Sequence, residues 1–442
     1  MIFRIGLLFL LTGAAHLFAI FGLKYIAGQG DLAGVAGIGK AEALLQFLIS
    51  IIGFGMQTEG LRTLAFASDW KAKLDEIQTA RLTLSWLLVL GAVGAVYDSS
   101  FWCFLAAPVL GSSCDYALYA RGKPVLASTL ALFRVVFPLG AAMAVAGRVP
   151  TLAPETFLVA FVGVYVITNL IISKTLGAST WWPARRASLS LYIKTIPVGV
   201  INLGYYFFGL GILFFAEFLF AEAELAVVYM ALKFYVVYRG ALRVIQQAYV
   251  NQMNHPLVGL RADQISMVIG LVLLGSASLF PQSFITLFFG QQFTGHRALF
   301  VGLGAAALVA GVFNSFSTTA ILQKRDLPMM RLIVASVLVS ILVLIIGYWV
   351  SPAPESVMIA LGVGEVVMAV GLMKLMDDSS GIRERLLYLL GISAGLLVPA
   401  SARYLFSDSL IPYLSSFALM GGLILVVNYS KFIHPVKTDE SR

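Results

Sequence analysis

Runs of about 20 apolar residues, each closed by a short cluster of polar, Gly or Pro residues, recur from one end of this chain to the other. A helix of that length crosses roughly 30 Å of hydrocarbon. About fourteen runs are legible, at roughly 5–27, 41–58, 80–98, 100–118, 126–147, 155–175, 195–217, 223–241, 265–289, 297–320, 331–350, 355–376, 385–405 and 410–428. Together they take up most of the chain and leave no room for a large domain outside a bilayer. The pattern predicts an all-α polytopic membrane protein.

Composition agrees: 60% of the 442 residues are hydrophobic, 12% are charged, and the mean hydropathy is +0.91. The first residues imitate a signal peptide, with Arg4, an apolar stretch and small residues at Ala14, Ala15 and Ala19. The apolar run continues to Ile26, however, and reads as a complete first span. On one continuous helix, Cys103 and Cys114 would stand about 16 Å apart, too far for a disulfide.

Charge then fixes a topology. An even number of spans puts both termini on one face. The loops on that face carry Arg4, Arg62, Arg81, Lys123, Arg185, Arg243, Lys324, Arg385 and most of the other basic residues. The opposite face keeps only Lys24, Lys40, Arg148, Arg297 and Arg403. Basic loops mark the cytoplasmic side, which places both termini there. The formal charge of +8 is explained by the same bias, so nucleic acid is not an expected partner.

Two stretches near the basic face look alike. Ala117 to Pro124 follows the fourth run and Ala320 to Pro328 follows the tenth; Gly60–Arg62 and Ala241–Arg243 make a second pair at the same six-run offset. An even offset preserves orientation, which predicts parallel repeats about an axis along the membrane normal. The expected division is 1–180 as an N-lobe of six spans, 181–352 and 353–380 as a C-lobe of six, and 381–442 as two further spans and a tail. Pro138, Pro197 and Pro281 are expected inside spans, and the Gly-rich seventh run, with Gly199, Gly204, Gly209 and Gly211, is the one that stands out.

Charges at bilayer depth cost several kcal/mol each on insertion scales, so they face a cavity or a partner. Arg134 falls in the fifth run and Lys233 in the eighth, with Tyr229 one turn earlier. Thr12, His16, Ile20 and Lys24 share one helix face. One reading is a cationic cleft for a phosphate or acidic sugar, with Arg134, Lys233, Lys24, Arg62, Arg243 and Tyr229 as contacts. The other is an intramembrane ion pair in which Glu42 or Glu365 neutralises Arg134 or Lys233. Glu365, Glu42 and His16 are the candidates for ion coupling. No phosphate-binding GxxxxGK[ST] loop, HExxH or zinc-spaced Cys/His cluster occurs. Neither an enzyme nor a cofactor or metal is therefore expected.

Gly55 to Thr58 with Gly60, Arg62 and Ala65, Phe288 to Phe293 followed by Ala298, and Asn314 to Leu327 together carry a resemblance. The chain resembles the Wzx-like polysaccharide flippases of the multidrug/oligosaccharidyl-lipid/polysaccharide (MOP) exporter superfamily. The resemblance implies two six-helix lobes around a V-shaped cleft. It also implies transport of undecaprenyl-diphosphate-linked oligosaccharide, an O-antigen or exopolysaccharide repeat unit, from the cytoplasmic to the periplasmic leaflet. Implied partners are that lipid-linked oligosaccharide, membrane lipids, and the polymerase and chain-length components of a polysaccharide assembly system.

A lipid II flippase of the MurJ type shares the fourteen-span plan and stays open as an alternative. A cation-coupled MATE multidrug exporter is the weaker reading, because many of those carry an acid in the first span where this chain has only His16. A membrane glycosyltransferase and a non-enzymatic scaffold are the readings from other classes; the short outer loops argue against the former.

Overall fold

The computed structural model describes residues 2–64, 67–95, 100–181, 190–249, 256–406 and 408–420. Every regular element among them is helical. Nine of these helices are long and apolar enough to cross a membrane, and ten if one bent pair counts as a single span. The chain divides into two compact units, Met1–Lys233 and Phe234–Arg442.

The first unit is built on α1 (Ile2–Gly28), α2 (Leu32–Gly53), α3 (Trp70–Val89), α4 (Pro124–Ala146), α5 (Ala153–Leu176), α6 (Ile196–Tyr206) and the first half of α7 (Glu222–Tyr249). α4 packs against both α1 and α5, while α2 packs against α5 and α6. In the second unit α8 (Pro256–Leu279) packs on α9 (Arg297–Val312) and on α13 (Ser379–Ser393). α12 (Glu355–Met376) lies against α9 and α11 (Asp326–Val350), and α10 (Asn314–Leu322) against α8. On α11, Leu338, Leu342 and Ile346 recur at helical spacing and are more than half exposed, as is Trp349. A stripe of large apolar side chains facing outward is stable against lipid and not against water.

Each apolar run contains helix, but several are interrupted where the sequence predicts a single span. The run 100–118 is three pieces, Ser100–Leu105, Ala107–Gly111 and Asp115–Ala120, so the two cysteines do not share one helix, and neither forms a disulfide. The seventh run breaks at Gly209, whose φ of −113° and ψ of −108° are not helical. Pro281 does not lie within a span: α8 ends at Leu279 and Pro281 opens the helix Pro281–Phe288. Proline has no N–H to give to a preceding turn, and the first turn of a helix is where that loss costs nothing. Pro138 is inside α4, and the tenth run bends by 42° between α9 and α10.

The two stretches that suggest a repeat close their helices in the same way. After Asp115–Ala120, Lys123 N–H donates to the Leu118 carbonyl at 2.9 Å and Gly122 N–H to Tyr119 at 3.1 Å. After α10, Arg325 N–H donates to the Ala320 carbonyl at 2.9 Å and Lys324 N–H to Ile321 at 3.1 Å. Both are Schellman caps, and both need a left-handed residue, supplied by Gly122 at φ +71° and by Lys324 at φ +58°. A side chain in that conformation costs about 1 kcal/mol relative to glycine. Lys324→Gly is therefore expected to raise thermal stability by about 1 kcal/mol, and Gly122→Ala to lower it by about the same amount, in detergent unfolding curves.

Candidate functional site

A cavity of about 230 Å³ lies within the first unit. Its walls come from helix faces at three- and four-residue spacing, the separation that stacks side chains on one side of a helix. α1 gives Ala19 and Leu23, α2 gives Glu42 and Gln46, α4 gives Arg134, α5 gives Phe157, Phe161 and Tyr165, and α7 gives Tyr229 and Lys233. Asp115 joins them from the first turn after the break in the fourth run. Along α5 the Phe161 and Tyr165 rings stack at 4.6 Å between centroids.

Arg134 and Lys233 therefore face one and the same cavity, and both belong to the first unit. Each has a carboxylate partner. Lys233 Nζ is ion-paired with Glu42 Oε1, and the Tyr229 hydroxyl donates to Glu42 Oε2. Arg134 is ion-paired with Asp115 Oδ2; its Nε donates to Thr168 Oγ1 at 2.8 Å and its Nη2 to Asn169 Oδ1 at 2.9 Å. The guanidinium also sits 4.2 Å from the centre of the Tyr165 ring. Arg134 is 6% exposed and Lys233 8%.

Two cations and two carboxylates make the cavity charge-balanced, so of the two readings the sequence leaves open, a cationic cleft and an intramembrane ion pair, the pairing of Lys233 with Glu42 follows the second. The reason is the desolvation penalty: a buried ion persists only with a counter-charge and hydrogen bonds close by. A balanced site can still take an anion, by exchange of one carboxylate partner for another.

Local packing explains how Glu42 reaches its partners. A Cβ on Gly39, one turn before Glu42, would stand 2.6 Å from Cγ of Tyr229, so glycine is what lets α2 approach the Tyr229 ring. Gly39→Val should separate Tyr229 from Glu42 and cost roughly 1–3 kcal/mol, measured as a lower unfolding midpoint. At the far end of α2, Gly55 has φ +80° and a Cβ there would meet Gly199 N at 2.9 Å.

The other expected contacts are placed differently. His16 is partly buried on α1 and near enough to Lys233 and Glu42 to feel their charges, but it does not line the cavity. Lys24 is likewise partly buried and off the lining, because the cavity face of α1 is Ala19 and Leu23, one residue round from the strip His16, Ile20 and Lys24. The side chains of Thr12 and Arg62 lie outside the described residues. Arg243 is exposed on the second half of α7. Glu365 neutralises neither Arg134 nor Lys233: it lies in the second unit, 2% exposed, ion-paired with Arg239 and accepting from the Tyr235 hydroxyl at 2.5 Å. A carboxylate buried to that degree takes the nearest guanidinium, which is one turn from Tyr235 on the same helix.

Asp115, Tyr165, Thr168 and Asn169 are site residues that the sequence does not single out. Tyr165, Thr168 and Asn169 follow i, i+3, i+4 spacing inside an apolar run, a polar stripe that could have found them. Asp115 has no such signal, because its partner is about twenty residues away across a turn. No group of three or more metal-ligating side chains occurs among the described residues.

No protein-family profile matches the sequence, and no curated protein matches it. Solved structures do match. That of the lipid II flippase MurJ in an inward closed conformation aligns over 97% of this chain and 98% of that one, with a TM-score of 0.68 and 12% identity. The fold is similar to that flippase's. At 12% identity the likeness is one of fold alone. A multidrug resistance MATE family transporter of the MOP superfamily, in an inward-facing conformation, aligns over 85% of this chain and 95% of its own with a TM-score of 0.49 and 15% identity. MATE in complex with MaL6 aligns over 86% and 94%, at 0.49 and 14%.

Proposed function

We propose that the protein is a flippase for a polyisoprenoid-diphosphate-linked oligosaccharide, an O-antigen or exopolysaccharide repeat unit. It moves this lipid across the bacterial inner membrane by alternating access, with both termini cytoplasmic. The observation that carries the reading is the pairing of two buried cations with two different carboxylates around one cavity. An arginine fork and a lysine point charge are the groups that receive a diphosphate, and the carboxylates hold them in place until it arrives.

Size supports the same division of labour. At about 230 Å³ the cavity is smaller than the roughly 300–1,000 Å³ pockets that enclose drug-sized ligands. That suits a diphosphate headgroup and not an oligosaccharide, so the glycan and the lipid tail are left to lie outside the cavity. Cells lacking the protein should accumulate diphosphate-linked glycan in the inner leaflet. Their failure to do so would remove the reading.

A second reading, lipid II as the substrate, is favoured by the fold likeness at a TM-score of 0.68. The two share the diphosphate and differ in the glycan. Offering the purified protein lipid II and an oligosaccharide-diphosphate lipid in parallel separates them, and the substrate moved faster decides.

A further inference from the structure

Arg81 on α3 is 1% exposed, yet among the described residues no carboxylate is paired with it. Its Nη1 donates to Gln78 Oε1 at 2.9 Å and to the Ser113 carbonyl, and its guanidinium carbon sits 5.4 Å from the centre of the Tyr116 ring. Its Nε is buried with no acceptor. Two residues beyond Ser113, Asp115 gives Oδ2 to Arg134, while its Oδ1 is buried with no donor.

An unmatched donor on a buried cation and an unmatched acceptor on a carboxylate thus flank the same short break, Ser112 to Cys114, between Ala107–Gly111 and Asp115–Ala120. Ser113 touches both arginines: its carbonyl takes Arg81, and its hydroxyl accepts from Arg134 Nη1 at 3.4 Å and bonds Asp115 Oδ2 at 3.4 Å. Cys114, in the same break, is close enough to feel the charges of Arg81, Arg134 and Asp115 alike.

We propose that Asp115 is shared between two arginines: when an anionic headgroup takes Arg134, the Asp115 carboxylate passes to Arg81. In the empty protein Arg134 is satisfied and Arg81 is not; with the diphosphate bound both are. Arg81 then acts as a positioning residue that sets anion affinity without touching the anion. The exchange needs no proton, because Asp115 stays ionised with an arginine beside it at each stage. The inference rests on the reading of the cavity as a diphosphate site.

Without Arg81, Asp115 displaced from Arg134 has nowhere to go. The other ionisable groups around it are Arg134 on α4, Tyr165 on α5, its neighbours Cys114 and Tyr116, and, lining the same cavity, Glu42 and Lys233, whose charges reach His16. Lys233 is already held by Glu42. A carboxylate left unpaired beside a bound diphosphate is expected to take a proton from the buffer, because two neighbouring anions disfavour each other.

The experiment is titration of the full-length protein with inorganic pyrophosphate by calorimetry, in buffers of different ionisation enthalpy, so that affinity and protons taken up are read together. Arg81→Gln is expected to bind about ten- to a hundredfold more weakly than wild type and to take up one proton more per pyrophosphate. The double variant Arg81→Gln/Asp115→Asn should lose the extra proton and bind as tightly as Asp115→Asn alone, a non-additivity that a purely structural role for Arg81 does not produce. Arg81→Lys keeps the charge and should take up no extra proton; if it does, the exchange is wrong, and this variant decides even where Arg81→Gln does not fold. Wild-type-like binding by Arg81→Gln without extra proton uptake overturns the proposal. Absence of pyrophosphate binding by wild type itself removes the diphosphate reading and the exchange with it.

Discussion

Arg385→Ala is expected to destabilise the protein by roughly 3–5 kcal/mol, the cost of leaving one member of a buried ion pair uncompensated. Asp263 on α8 has a fully buried side chain and Arg385 on α13 one that is 3% exposed. Asp263 Oδ2 accepts from Arg385 Nε at 2.7 Å and from Ser315 Oγ at 2.5 Å, and Oδ1 accepts from Ser315 N–H at 2.7 Å. The guanidinium also donates to the Gly381 carbonyl and lies 4.3 Å from the centre of the Phe316 ring. Ser315 and Phe316 open α10, just after the 42° bend, so the pair ties three helices together where the tenth span is broken. Removing the cation strands a buried carboxylate and frees the bend at once. The apolar double variant Asp263→Leu/Arg385→Met should recover most of the loss, since replacing a whole buried pair is far cheaper than breaking it. Thermal unfolding in detergent reads both, and a loss under about 1 kcal/mol for Arg385→Ala would show that the pair does not hold the bend.

The second large effect separates holding the fold from moving the substrate. Lys233→Met strands Glu42, whose side chain is 12% exposed, and is expected to cost roughly 3–5 kcal/mol. Adding Glu42→Gln removes the stranded charge and should return most of the stability. Transport should not return with it. The double variant has one cation left at the cavity, Arg134, and is expected to flip substrate at least about a hundredfold more slowly, the scale on which losing a buried charge-assisted contact acts. Recovery of both stability and transport would mean that the Lys233–Glu42 pair is structural only.

The helices are legible in the sequence because the physics that sets them is one-dimensional: about 20 apolar residues cross a bilayer wherever they occur. The caps of the two repeated stretches are legible for a similar reason, since small, basic and Pro residues mark helix ends. Where spans break is not legible. Pro281 stands inside an apolar run yet starts a helix, and the run 100–118, apolar over most of its length, divides before Asp115. A break of that kind is set by what the freed backbone finds: the Ser112 and Ser113 carbonyls meet Gln78 and Arg81, side chains more than 30 residues away.

For the site, the two cations are visible as charges out of place in apolar runs, and Glu42 is one of two acids that suit them. The choice between Glu42 and Glu365 depends on which helices pack together. Gly39 and Tyr229 bring α2 against α7, and this settles the partner of Lys233. Asp115 could not be chosen from the sequence at all, since its role follows from a turn that carries it back to α4.

Transbilayer movement of a fluorescent polyisoprenoid-diphosphate sugar in proteoliposomes tests the diphosphate site most directly. Wild-type protein is expected to move the lipid well above the rate of empty liposomes, and a polyisoprenoid monophosphate with the same sugar much less. The Arg134→Ala/Lys233→Met/Glu42→Gln/Asp115→Asn variant, which keeps the cavity free of stranded charge, should fall to the rate of empty liposomes. A variant that moves the diphosphate lipid as fast as wild type would contradict a role for the two cations in transport.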